Sequence, residues 1–250
     1  MSESGPLSFH DDDDERRAAQ ARLEGHGVPP PAPRRRGRYG WVIGVIFLAW
    51  IVYITLNTLR TEKPGSRGVP DNRPAPAFAA PLALSDLDGD ANVASRRGQG
   101  AAGARPACEV RGARILNSCQ LSERGPVVLA FYASRAGGAC PQQLDAMERV
   151  RREFPGVQFA AVAIRGDRGD LRKLIRERRW GFPVGWDRDG QVANLYRVAG
   201  CPTTTLAYPG GIVRHSYLGL LDERRLRTAV ARLVTTSRRR GWTPPRTKTS

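Results

Sequence analysis

From Tyr39 to Leu59 the chain runs for 21 residues without a charge, bounded by Arg38 and Arg60. A helix rising about 1.5 Å per residue would span about 30 Å over that run, the thickness of a bilayer's hydrocarbon core. Tyr39, Trp41 and Tyr53 are aromatics of the kind found near membrane interfaces, although Trp50 falls closer to the middle. A cleaved signal peptide fits poorly, because 38 residues precede the run and no small-x-small site follows it directly. A buried helix of a soluble domain is disfavoured by the length. The expectation is one transmembrane helix over 39–59, contacting the lipid bilayer through Tyr39–Leu59. Arg34, Arg35, Arg36 and Arg38 precede it, and Arg60, Lys63 and Arg67 follow. The tighter cluster favours a cytoplasmic N-terminus, with the C-terminal domain outside the cell membrane.

The rest of the chain divides by composition. Residues 1–38 join an acidic run (Asp11 to Glu15) to a proline run (Pro29, Pro30, Pro31, Pro33) and read as a disordered cytoplasmic tail. Residues 60–105 are rich in Gly, Pro, Ala and Arg and read mainly as a flexible tether, with Ala75–Phe78 and Leu84–Gly89 marking first contact with a folded domain. That domain is expected over 106–236, and 237–250 as a basic disordered tail.

Charge bears on partners. The chain carries a net +16 over 250 residues, but residues 1–38 hold seven basic and seven acidic side chains. The whole surplus therefore lies beyond the apolar run. No stacking sheet, helix-turn-helix or zinc pattern accompanies it, so nucleic acid is not expected. Anionic lipid head groups and anionic cell-surface polymers are the candidate partners of an exported basic domain.

From Pro106 onward the pattern is regular. Cys108 to Leu121 reads as a hairpin turning near Arg111-Gly112. Pro126–Ala133 and Val157–Ile164 are continuous apolar runs of strand type. Between them Leu144, Met147, Val150 and Phe154 recur at helical spacing. A charged helix over 170–180 carries Leu171, Leu174 and Ile175; a short extended piece (183–186) and a helical turn or two (191–196) follow. Strands over 203–208 and 212–218 flank Pro209-Gly210-Gly211. A last helix starts at Asp222 as N-cap and buries Leu226, Val230 and Leu233. The order β–α–β–α–(β/α)–β–β–α predicts one α/β domain.

All four cysteines follow the apolar run, which suits an oxidising compartment. Cys108 and Cys119 lie across the predicted hairpin and are read as a structural disulfide, stabilising by about 3 kcal/mol. A zinc site is the alternative, but it needs four ligands, and the domain adds only His215 to its cysteines. No metal and no cofactor are expected. Cys–His nucleophilic catalysis lacks a placed base.

The stretch from about Ala75 to Val234 resembles the membrane-anchored TlpA/ResA-type thiol–disulfide oxidoreductases. Three segments carry the likeness. Val127–Ser134 (VVLAFYAS) is similar to the family's strand ending in Phe-Trp-Ala-Ser/Thr. Phe182-Pro183-Val184, Asp187-Arg188-Asp189-Gly190 and Tyr196-Arg197-Val198 resemble its middle segment. Gly200-Cys201-Pro202-Thr203-Thr204, then Pro209-Gly210-Gly211, resemble its cis-proline loop and following hairpin. The resemblance implies a thioredoxin-like fold, a central mixed sheet with flanking helices, and chemistry on protein thiols and disulfides.

The likeness breaks where the family carries Trp-Cys-x-x-Cys. Here the chain reads Ser134-Arg135-Ala136-Gly137-Gly138-Ala139-Cys140-Pro141, and the first cysteine of the pair is missing. Exchange requires a second sulfur to resolve the mixed disulfide. The residue before the family's cis-proline lies beside the active-site helix, so the resemblance implies that Cys201 meets Cys140, as a redox pair or as a structural bridge. Arg135 and Pro202 would then border the substrate groove. Two alternatives remain. Phe131-Tyr132 followed by Ala133, Gly137 and Cys140 matches a peroxiredoxin spacing without its Pro and Thr, which would make Cys140 a peroxidatic thiol. Loss of the first cysteine also suits a redox-silent binding module.

Overall fold

The computed structural model describes residues 11–24, 40–60, 68–133 and 138–244. They fall into two units, Met1–Glu62 and Lys63–Ser250.

The first unit contributes α1 (Asp11–Glu24) and α2 (Gly40–Arg60). The disordered tail expected over 1–38 is thus helical in part. Residues 15–24 are mostly strong helix formers (Glu, Arg, Ala, Gln, Leu), a propensity that needs no apolar face. In α2 the side chains described are those of 41–55, and the large apolar ones among them are exposed, from Trp41 through Phe47 to Ile54. Among the described residues no helix is long and apolar enough to cross a membrane.

The second unit opens with β1 (Ala79–Pro81), β2 (Ile115–Asn117) and α3 (Ser118–Arg124). Next come β3 (Val127–Ala133), α4 (Ala139–Arg151), β4 (Gln158–Ile164), α5 (Arg168–Arg178), β5 (Val184–Asp187) and α6 (Gln191–Leu195). The chain closes with β6 (Thr203–Ala207), β7 (Val213–Leu218) and α7 (Glu223–Arg239). The central sheet has the order β5-β4-β3-β6-β7. β3, β4 and β5 run parallel, and β6 and β7 are antiparallel additions. β3 is central and buried on both faces, which is why it reads as an unbroken apolar run.

Alternation along β3 divides the core. Val128, Ala130 and Tyr132 face Leu144, Met147 and Val150 of α4 and Leu226, Val230 and Leu233 of α7. Val127, Leu129 and Phe131 face the other way, toward Phe78, Leu121, Val192 and Tyr196. The α7 start matches the sequence expectation: the Asp222 carboxylate accepts from the Arg225 N–H at 2.8 Å. Gly210 and Gly211, at φ 80° and 82°, make the turn between β6 and β7, a conformation closed to most side chains.

Three sequence expectations are corrected here. The flexible tether over 60–105 is, from Gly68 on, part of the fold. Phe78, Ala80 and Ala83 are fully buried, and β1 pairs with β2. Arg168 fixes the next stretch: its guanidinium donates to the carbonyls of Leu82, Ala83, Ser85 and Leu87 and lies 5.0 Å from the Trp186 ring centre. The Tyr196 hydroxyl donates to Pro76 O at 2.9 Å. Second, Cys108–Leu121 is not a hairpin. It holds a turn of 3-10 helix at Ala107–Glu109, then β2, then the start of α3, because Asn117 caps a helix instead of continuing a strand. Third, the tail expected from 237 begins inside α7, where Ser237 is fully buried. Residues 245–250 lie outside the described residues.

Candidate active site

Cys140 sits in the first turn of α4, and Cys201 immediately precedes the cis peptide to Pro202. The two are joined by a disulfide with a Cα–Cα distance of 5.6 Å across 61 residues of sequence. The fold produces this meeting directly. β3 delivers the chain to the N-terminus of α4, and β6, paired with β3 through Phe131↔Thr203, delivers the proline loop to the same end of the sheet. Of the other expected groove residues, Pro202 is buried behind Cys201, and Arg135 lies outside the described residues.

The two sulfurs differ in access. Cys140 is 1% exposed, whereas Cys201 is half-buried. Their surroundings also differ. The Ala133 N–H points at Cys201 Sγ from 3.3 Å. The α4 N-terminus has Gly138 at its cap and, among the described residues, no capping side chain, so its N–H groups can face a negative charge on Cys140. Both features favour a thiolate when the bond opens. Among the described residues, neither sulfur is hydrogen-bonded to a histidine or a carboxylate.

The supporting residues fix the loop against the helix. The Thr203 hydroxyl donates to Gly200 O at 2.7 Å, and the Gly219 N–H donates to Pro202 O at 2.8 Å. Gln143, one turn beyond Cys140 and fully buried, accepts from the Leu221 N–H at 2.8 Å, while its Nε2 has no partner among the described residues. Sequence reasoning missed both Gln143 and the Ala133 N–H. A polar residue on the otherwise apolar face of α4 was the one available signal; a main-chain donor leaves none.

Farther along α4, Glu148 binds Arg151 at 2.8 and 2.9 Å, Arg152 at 3.2 Å and the Gly181 N–H at 2.7 Å. Burial opposes its ionisation, but these donors prevail and hold its carboxyl below the ordinary glutamate value. Burial pushes the Tyr132 phenol, beneath the site, up from its ordinary value, against the pull of Arg178.

The other bridge joins Cys108 to Cys119, with a Cα–Cα distance of 5.4 Å. Both thiols are thereby consumed, which leaves no thiolate there for zinc. Asn117, 2% exposed, braces both arms. Its carbonyl oxygen accepts from the Cys119 and Gln120 N–H groups, and its amide nitrogen donates to Ala107 O and Val110 O. Arg111 adds an Nε bond to Cys108 O and a two-pronged pairing with Glu123.

Comparison with known proteins fits this geometry. Residues 109–216 match the AhpC/TSA family. The chain is 30% identical over 102 residues to the thiol-disulfide oxidoreductase ResA of Oceanobacillus iheyensis; the match covers 40% of this chain and 53% of that protein. The chain thus spans about half the length of the curated relative it matches. A crystal structure from Chlorobium tepidum, assigned as a thiol:disulfide interchange protein DsbE, superposes with a TM-score of 0.50 at 22% identity. It covers 68% of this chain and 98% of its own, a likeness of fold. The domain is thus similar to the AhpC/TSA family over residues 109–216 and, over 102 residues, to a thiol-disulfide oxidoreductase of the ResA type.

Proposed function

We propose that the domain is a thiol–disulfide oxidoreductase acting on protein thiols and disulfides through Cys140 and Cys201. The observation that carries this reading is the bond between a half-buried loop cysteine and a buried cysteine at a helix N-terminus. A substrate thiolate attacks Cys201 Sγ, the sulfur it can reach. The Cys201–Cys140 bond breaks, and its electron pair leaves on Cys140, where the α4 N-terminus receives the charge. A second thiolate of the substrate then attacks its own sulfur in the mixed disulfide and expels Cys201 as a thiolate facing the Ala133 N–H. The substrate leaves as a disulfide and the domain as a dithiol. The reverse sequence reduces a substrate disulfide, with Cys201 as nucleophile and Cys140 resolving.

The test is trapping. Cys140→Ser leaves Cys201 unable to pass its partner on, and is expected to accumulate a mixed disulfide with a dithiol peptide disulfide. Cys201→Ser is expected to accumulate little. Failure of both variants to form an adduct would leave the binding-module reading; consumption of hydrogen peroxide by Cys140 alone would establish the peroxidase reading.

Membrane anchoring belongs to the same proposal. It is supported by the uncharged run over 39–59, the helix Gly40–Arg60, and the exposed apolar side chains from Trp41 to Ile54. The flanking arginines favour a cytoplasmic N-terminus and an exported domain. Membrane fractionation tests the anchor, and protease accessibility in intact cells tests the orientation. A chain that alkaline carbonate strips from membranes, or a domain protected in intact cells, contradicts it.

A further inference from the structure

β7 and α7 border a groove of about 640 Å3 that the redox chemistry does not use. Arg214 lines it from β7, and Arg227, Arg232 and Arg239 line it from α7. Arg227 is already committed: it binds Glu153 at 2.7 and 2.8 Å and Glu223 at 2.7 Å. Arg214, Arg232 and Arg239 make no ion pair among the described residues, and no acidic side chain lines the groove. Thr228, Thr235 and Thr236 lie along the same wall, the Thr228 hydroxyl donating to Arg224 O at 2.9 Å. Three cations without an ion pair and two further threonines, Thr235 and Thr236, therefore share one site.

We propose that this groove binds a linear phosphate-bearing polymer, its phosphates taken by Arg214, Arg232 and Arg239. A guanidinium presents parallel N–H donors that match two phosphate oxygens, and the hydroxyls of Thr235 and Thr236 would supply further donors. The spacing favours a chain over a single anion. Arg232 and Arg239 stand seven residues apart on α7, about 10 Å along the axis, so an occupant meeting both carries more than one charge. The shallow, open site between a helix and an edge strand admits a strand of polymer. The exposed Arg238 and Arg240 continue the basic character at the end of α7.

The test is binding of inorganic polyphosphate to the purified full chain in neutral detergent, across a salt series. The triple variant Arg214→Gln, Arg232→Gln, Arg239→Gln is expected to weaken binding tenfold or more. It should also flatten the slope of log affinity against log salt by about 2, three contacts at about 0.7 each for a single-stranded polyanion. A charge-matched control changes Arg96, Arg176 and Arg224, which are exposed and outside the groove. Retained affinity in the control supports the site. An equal loss in both triple variants would reduce the effect to net charge and overturn it. So would absence of polyphosphate binding, or binding confined to vesicles of anionic lipid. Near-ultraviolet circular dichroism of each variant separates loss of binding from loss of fold.

Discussion

The two disulfides of the domain are the same bond in two settings. Cys108–Cys119 spans 11 residues and is duplicated by other links: Asn117 ties both arms together, and Arg111 ties Cys108 O to Glu123. Cys140–Cys201 spans 61 residues and joins the start of α4 to the proline loop, beside the Thr203–Gly200, Gly219–Pro202 and Gln143–Leu221 bonds. The first bridge reinforces a structure already held by hydrogen bonds. The second sits where one sulfur can be reached and where each thiolate, once formed, meets N–H groups. Reactivity follows from placement, not from the presence of a disulfide.

The two bridges are expected to differ most in their effect on activity. Serine at Cys140 or at Cys201 is expected to reduce turnover of a dithiol peptide to background, at least 100-fold, in an assay of peptide oxidation. Serine at both Cys108 and Cys119 should leave it within about threefold. Stability ranks the bridges by loop length. Replacing Cys140 and Cys201 together is expected to cost about 4 kcal/mol in urea unfolding, and replacing Cys108 and Cys119 about 3 kcal/mol. Asn117→Ala sharpens the contrast from the other side. It removes a helix cap and two buried bonds, with an expected loss of about 2 kcal/mol, and should make Cys108–Cys119 easier to reduce.

Much of this was legible in the sequence, by physical kind. The buried strands were legible because a strand covered on both faces is apolar throughout, as in VVLAFYA. α7 was legible because Asp222 caps it and Leu226, Val230 and Leu233 repeat at helical spacing. The layer from Gly68 to Arg105 was not, because alanine and proline bury small surfaces without periodicity and their partners are distant in sequence. Ala79 pairs with Asn117, and Pro76 meets Tyr196. The misread hairpin has the same origin, since β2 pairs backward with β1. At the site, Cys201 could be matched to Cys140 through the family likeness alone. Arg135 lies outside the described residues, and Gln143 and the Ala133 N–H emerged from geometry.

A smaller effect tests the support beneath the Cys140–Cys201 bridge. Glu148 holds α4 to Gly181 as a carboxylate whose native pKa is lowered. The folded state therefore favours its ionised form. Its contribution is fully present above the ordinary glutamate range and lost as pH falls through the lowered native value. Glu148→Gln is expected to cost about 1 kcal/mol at neutral pH and to weaken the acid-side fall in stability. A parallel fall in variant and parent, followed by thermal unfolding against pH, would exclude this carboxylate as a source.

The most direct measurement is a redox titration of the full chain in dithiol buffers, with differential alkylation and mass mapping of each cysteine. The account predicts that Cys140–Cys201 opens first, at a potential well above about −300 mV, while Cys108–Cys119 stays closed. If Cys140–Cys201 resists reduction as strongly as Cys108–Cys119, the bridge is structural and the proposed exchange activity fails.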